Sequence, residues 1–381
     1  MIGLARFGAH RLRELALYPA MARRKSGRTV LFLPCLGREM SGLLRGYDVA
    51  DALNTRGWCA VVLPKQLEPV QRQRVLRRLN PDISVLMTSR NQTNSHELLQ
   101  GRRYVYDIDD ADFHDPVMAE RMERDIVAST GVIAGSRYVA RWCEQFQPNT
   151  RVVWTGAKPH PGTFPDHQER GPLVVWAQSQ PERYTGEFDM VVAIMERVAA
   201  RRSGVRLRLY GDGEARDGGR SARLRQAGVT VEWLPFLDYG AYVASLGQAA
   251  VGLSPICTET PFSRGKSFGK ILAYLDARVP VVTSDAVDHA LLFEPGSGVV
   301  SNDPDIWVES IERLLDSPQE RDDMAARAHE IYRRRLSVDA ATDRVEAFLL
   351  DCIARPVPET VPEMRPETQN GARISPDAMS A

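Results

Sequence analysis

Two stretches of this chain carry residue types at spacings that do chemistry. Between 264 and 284 the sequence runs Arg-Gly-Lys-Ser-Phe-Gly-Lys-Ile-Leu-Ala-Tyr-Leu-Asp-Ala-Arg-Val-Pro-Val-Val-Thr-Ser, which reads as loop, helix, turn and strand. A helix opening near Lys266 or Ser267 aims unpaired backbone N–H groups and the positive end of its dipole at whatever lies beyond it, which favours an anion. Lys266 and Lys270, four residues apart, then share one face that Ala273 and Tyr274 continue, while Phe268, Ile271, Leu272 and Leu275 form a separate apolar stripe. With Arg264 and Gly265 in front, this face suits a diphosphate. An ordinary amphipathic helix with a solvated lysine face has the same pattern. In the second stretch, residues 104–113 place Asp107, Asp109, Asp110 and Asp112 at the end of a β-branched run. Four carboxylates cannot all be buried and ionised without partners. They suit a divalent cation, charge-assisted hydrogen bonds to hydroxyl groups, or a polar loop capping the helix that follows Pro116.

Two further loops are less specific. Residues 36–42 form a glycine-bracketed loop after the first strand, in which Gly37 and Arg38 are placed to approach a phosphate or an acceptor through backbone amides. The turn Gly211-Asp212-Gly213 follows a later strand, yet glycines in such turns more often serve backbone geometry. Neither is a dinucleotide fingerprint, and the chain has no Walker pattern.

These loops need a scaffold, and the chain supplies two. Short β-branched runs alternate with helical patterns at 29–34, 59–64, 83–88, 104–108, 132–134 and 152–154, which predicts a parallel sheet wrapped by helices. Prolines and glycines crowd 158–171, and the alternation restarts at 173–177, 205–210, 229–234, 251–254 and 280–283. The reading is a basic amphipathic segment at 1–27, a first domain at 28–157, a linker at 158–171, a second domain at 172–354, and a proline-rich disordered tail at 355–381. Two doubly wound sheets would present their carboxyl strand ends to a shared cleft.

Composition narrows the function. Lys plus Arg and Asp plus Glu are both 49, so net charge is zero and no nucleic-acid partner is indicated. Five scattered cysteines without close pairs suggest neither a disulfide framework nor a zinc site, and a cytoplasmic setting fits. No apolar run reaches the length of a membrane span. Residues 1–28 are locally basic and interleaved with apolar side chains. They suit either an anionic inner-membrane surface, with the protein held there peripherally, or a leader helix packed on its own domain.

The run Arg-Gly-Lys-Ser-x-x-Lys-Ile-Leu-x-Tyr followed by Val-Pro-Val-Val-Thr-Ser resembles the donor segment of bacterial family-four glycosyltransferases. Leu207 to Gly213, Val229 to Phe236, Ala249 to Pro255 and Leu314 to Arg334 extend the resemblance from about 171 to 350. It implies an α/β GT-B fold, with two Rossmann-like parallel-sheet domains facing a central cleft. It also implies an enzyme of the hexosyltransferase type that moves a sugar, with retention, from a nucleotide-diphosphate donor to a lipid-linked or polysaccharide acceptor in envelope or exopolysaccharide synthesis. No cofactor or metal is expected. The resemblance assigns donor binding to Arg264, Gly265, Lys266, Ser267, Lys270, Tyr274, Arg183, Gly211 and Gly213. It gives Lys266 a catalytic part together with Asp107, Asp109 and Asp110, the aspartates orienting a sugar or acceptor hydroxyl, and it sets Gly37 and Arg38 on the acceptor side.

The chain also departs from that pattern. The two glutamates usual in the family fall at Gly265 and Ala273, so ribose recognition must be made otherwise. The basic pair after the first strand of the second domain is reduced to Arg183, beside Gln178 and Ser179. A nucleotide-sugar epimerase and a catalytically silent scaffold that binds a partner transferase are therefore the rival readings.

Overall fold

The computed structural model describes residues 11–22, 27–87, 91, 93–266 and 268–357. Most of the basic leader, Ser267 and nearly all of the proline-rich tail lie outside the described residues. Among the described residues no helix is long and apolar enough to cross a membrane. The chain divides into two units: one of residues 1–158, 265–267 and 338–381, the other of residues 159–264 and 268–337.

The first unit is built on β1 (Thr29–Leu33), β2 (Cys59–Val62), β3 (Ile83–Met87), β4 (Tyr104–Ile108), β5 (Gly131–Ala134) and β6 (Thr150–Val152). All pair in parallel, in the order β2-β1-β3-β4-β5-β6. Strands β1, β3 and β4 are buried along their whole length. A parallel sheet covered on both faces requires such near-continuous apolar runs. One face buries Leu31, Leu86, Tyr106 and Val132 under the helices of the N-terminal half. The other face buries Val30, Phe32, Val85 and Val105 against Val345, Phe348 and Leu349. Those last three lie on the helix Val338–Ala354, so that helix belongs to the first unit rather than to a second domain ending at 354. Each such side chain contributes about 1.5–3 kcal/mol on burial. Glu346 fixes the helix laterally by accepting from Arg56 Nη1 at 3.1 Å and Trp58 Nε1 at 2.8 Å.

The second unit carries β7 (Leu173–Trp176), β8 (Arg206–Tyr210), β9 (Thr230–Leu234), β10 (Val251–Ser254), β11 (Val281–Thr283) and β12 (Val299–Val300). They too are parallel, in the order β12-β11-β10-β7-β8-β9. The chain starts at β7, runs outward through β8 and β9, then returns to the other side of β7 as β10. Strand order therefore reverses between β7 and β10, and ligands of open α/β sheets bind beyond the carboxyl ends at such a point. In the first unit the reversal lies between β1 and β3. The segment expected as a linker is divided: Lys158 goes with the first unit and residues 159–171 pack into the second.

Candidate active site

The loops that leave the carboxyl ends of β7 and β10 are tied to each other by buried polar side chains. Tyr274, in the helix Gly269–Asp276, is fully buried and sends its hydroxyl to the switch point. It accepts from Ala177 N at 2.7 Å and lies 2.9 Å from Leu253 O and 3.1 Å from Val175 O, to which it donates. Its ring fits because β10 has Gly252, where a Cβ would come 2.8 Å from Tyr274 Cδ1. Glu187, in the first turn of the helix Thr185–Arg201 after β7, is 3% exposed. It accepts from Ser263 Oγ at 2.6 Å and Cys257 N at 3.2 Å, both in the segment that follows β10. Arg264 Nε closes that segment on Thr258 O at 2.5 Å. The segment ends in a short helix, Pro261–Arg264, and the helix Gly269–Asp276 begins after an N-cap at Phe268.

This start corrects the sequence expectation. The helix opens at Gly269, so Lys266 precedes it and does not share a helical face with Lys270. Ala273 and Tyr274 are both at 0% exposure and belong to the core, so Tyr274 shapes the site rather than touching a donor. Lys270 is at the second helical position, half-buried, with Nζ 5.9 Å from the centre of the Tyr184 ring. Behind it, His289 stacks on Phe268 with centroids 5.6 Å apart. Burial lowers the His289 pKa to about 4, opposed by the Ser284 carbonyl and Asp288 and aided by Lys270. A neutral ring with Nδ1 2.9 Å from Ser284 O must donate from Nδ1. The result is a helix N-terminus, a lysine and an arginine-closed loop at the point where the strand order reverses, an arrangement suited to an anion.

In the first unit, Arg45 is buried and spreads its fork over the end of β4. Nε donates to Asp107 Oδ1 at 2.9 Å and Nη2 to Asp107 Oδ2 at 2.8 Å. Nη1 donates to Val153 O and Thr155 Oγ1, both at 3.0 Å, and Thr155 passes the bond to Asp109 Oδ1 at 3.0 Å. Burial disfavours the arginine's charge, but Asp107 and Asp109 more than offset this, so its pKa rises and it stays charged. Both Asp107 oxygens are thereby engaged by Arg45. Asp109 keeps 14% side-chain exposure. Burial, opposed by Arg45 and reinforced by Asp110 and Asp107, raises its pKa to about 6. The helix Pro116–Val127 is capped by Asp115, whose Oδ1 accepts from Val117 N at 2.9 Å, so the upstream aspartates do not serve as its cap. Among the described residues the group of possible metal ligands within 4.8 Å of one another is His96, Glu97 and Asp125.

The remaining predicted positions lie as follows. Gly211 has φ +96° and no room for a Cβ against the carbonyl oxygen of Ser179, so the turn after β8 needs glycine. Gly213 is buried against the Glu182 carboxylate, and Arg183 is exposed. Gly265 groups with the first unit, where a Cβ would collide with Ala111 Cβ and come 3.2 Å from Tyr138 Cδ1. A glutamate cannot be placed there without displacing them. Gly37 is half-buried, and the exposed Arg38 lies 4.4 Å from the centre of the Tyr47 ring. Arg45, Thr155, Glu187 and His289 escaped the sequence reading. A lone charged or polar residue in a helix or loop gives no local sign that its partner sits 62 residues away, as Asp107 does from Arg45.

Residues 192–347 match a protein-family model described as glycosyl transferase-like. No curated protein matches the chain in sequence. Among solved structures, the chain is similar to sucrose-phosphate synthase from Thermosynechococcus elongatus, with TM-score 0.63 and 10% identity over 86% of this chain and 100% of that one. It is similar also to Alr3699/HepE of Anabaena, solved with UDP and glucose, with TM-score 0.58 and 17% identity over 85% and 100%. A third similar structure is a putative UDP-N-acetylglucosamine 2-epimerase from Listeria monocytogenes, with TM-score 0.54 and 13% identity over 88% and 99%. The two six-stranded parallel sheets and these neighbours define a GT-B fold.

Replacing Arg45 by Met leaves Asp107 buried and unpaired, which costs about 3–5 kcal/mol in chemical denaturation, with Arg45→Lys failing to restore it because one ammonium cannot span the fork. For Asp109, the folded pKa of about 6 exceeds the usual carboxyl value of about 4. The stability supplied by its neutral form is therefore complete below about pH 4 and lost as pH rises through about 6. Asp109→Asn should gain on the wild type across that window and hold a constant difference above about pH 7, read as melting temperature against pH.

Proposed function

We propose that this chain, a glycosyltransferase by its family match and its GT-B fold, moves a sugar from a nucleotide diphosphate to a hydroxyl of a glycan or glycolipid acceptor. One observation carries the donor half of the reading. The helix Gly269–Asp276 starts beyond the carboxyl ends of β7 and β10, with Lys270 in its first turn and Arg264 at the end of the short helix before it. Charge grows on the diphosphate as its bond to the sugar breaks. Fixed amide dipoles and cations stabilise that charge most where water is excluded, and they need no reorganisation at the moment of reaction. The Gly211 to Gly213 turn with Arg183 would border the nucleotide.

Uridine diphosphate is the first carrier to test, because the Anabaena relative was solved with it. On the acceptor side, Asp109 keeps a solvent-facing edge while Asp107 is held by Arg45. Ionised above about pH 6, it would accept a hydrogen bond from a sugar hydroxyl and fix its approach. Asp110, Gly37 and Arg38 would frame the same acceptor. Retention of configuration and a place in envelope or exopolysaccharide synthesis rest on the family resemblance. The basic leader at 1–27 would bring a lipid-linked acceptor within reach at an anionic membrane surface.

A second reading, epimerisation of the nucleotide sugar, has the Listeria relative in its favour. The two separate on incubation with a panel of nucleotide sugars. A transferase gives thermal stabilisation by its donor and product only with acceptor present, whereas an epimerase converts the donor alone. If no nucleotide diphosphate binds, both readings fail. Lys270→Ala should lower kcat by about 10² to 10³ with little change in melting temperature, as loss of one charge-stabilising donor does elsewhere. Turnover within about threefold of wild type would remove Lys270 from the site.

A further inference from the structure

A cavity of about 400 Å³ lies on the amino-end side of the second sheet, within the range of small-molecule pockets. It is lined by residues 159–170, by Asp276 and Arg278 at the end of the helix Gly269–Asp276, and by Asp322 and His329 of the helix Pro318–Ile331. Its position follows from Arg170, whose Nη1 donates to Ala249 O at 3.1 Å and Arg278 O at 2.9 Å. Those residues lead into β10 and β11, so the cavity sits at their amino ends, away from the candidate active site.

Two features mark it as built for a ligand. His167 lines the cavity at 5% exposure, and neither ring nitrogen has a hydrogen-bond partner among the described residues. A buried polar group left unpaired costs about 1–3 kcal/mol. Around it stand Arg170, Arg278 and Arg321, none of them in an ion pair among the described residues. Arg170 and Arg321 are buried and spend donors on backbone carbonyls: Pro165, Ala249 and Arg278 for the first, Leu314, Leu315 and His167 for the second. Burial and then Arg170 and Arg321 lower the His167 pKa to about 4, with Asp166 opposing and Arg278 adding to the fall. At neutral pH the ring is therefore an N–H donor in a positive field. Of the acids that line the cavity, Asp276 is engaged, both oxygens accepting from His160 N at 3.2 and 3.0 Å, while Asp166 and Asp322 are exposed. An apolar part of the wall is made by Pro159, Pro165 and Phe164, on which the His160 ring stacks at 5.3 Å.

We propose that this cavity binds a small organic oxyanion, a phosphorylated or carboxylated molecule of sugar size, with its charged group at His167 and the arginines and its body against Phe164. The arginines disfavour a cation there, and the volume excludes a polymer from complete enclosure.

Calorimetry on the full chain with glucose 1-phosphate, glucuronate, glucose and inorganic phosphate tests this. Saturable binding of either organic anion is expected, with neutral glucose and free phosphate weaker by about tenfold or more. Arg278→Gly and His167→Asn should each weaken the anion by about tenfold, the loss of one charge-assisted or buried hydrogen bond. Arg278 sits at φ +53°, a conformation glycine adopts freely, so that variant should keep its fold and its melting temperature. Lys270→Ala should leave the binding intact. The proposal is overturned if Lys270→Ala abolishes binding while Arg278→Gly retains it, since the anion would then sit at the donor end. Equal affinity for glucose, equal affinity for free phosphate, or no heat from any probe at millimolar concentration would each overturn it as well.

Discussion

A phenol hydroxyl buried where the second sheet reverses its strand order sets the position of everything at that end of the unit. Tyr274 spends its oxygen on the backbone of both strands at the reversal, accepting from Ala177 and donating to Leu253 or Val175. The hydroxyl cannot leave without stranding buried backbone groups, so the helix that carries it is fixed in height and rotation. Its first turn is then held at the carboxyl ends of β7 and β10. Glu187 adds the lateral constraint by gathering Ser263 and Cys257 under one carboxylate oxygen. The cations need no order of their own, because the backbone that bears them is already placed.

The first unit solves the complementary problem of keeping carboxylates at a buried strand end. A single arginine neutralises Asp107 through a two-bond fork and reaches Asp109 through Thr155. The division of labour follows from access. Asp107 is enclosed and acts as ballast for Arg45, while Asp109 retains an edge to solvent and a pKa pushed up by burial. Gly135, just after β5, leaves room for that carboxylate, since a Cβ there would come 2.7 Å from Asp109 Oδ1.

In the second unit one short helix has ends of different character. At its start lie Phe268 and Lys270 beside the neutral His289. At its finish lie Asp276 and, just beyond, Arg278 in the left-handed conformation where glycine is the usual choice. Eight residues at about 1.5 Å rise make this a rod of roughly 12 Å.

The sequence by itself determined the class of fold and marked where charged residues cluster. Strands β1, β3 and β4 are legible because a parallel strand covered on both faces must be apolar throughout, and the restart of the alternation after the proline-rich stretch announces a second sheet. The segment around Lys266 and Lys270 and the aspartate run are visible as local clusters of charge. What tertiary structure decided is which of those charges are available. Asp107 and Tyr274 read as site residues until Arg45, Leu253 and Val175 are seen to occupy them, and the helix Val338–Ala354 reads as part of the second domain until its apolar stripe is found on the first sheet. Local propensity and periodicity act over a few residues, whereas burial and pairing depend on which distant segment arrives alongside, and that information is spread over the whole chain.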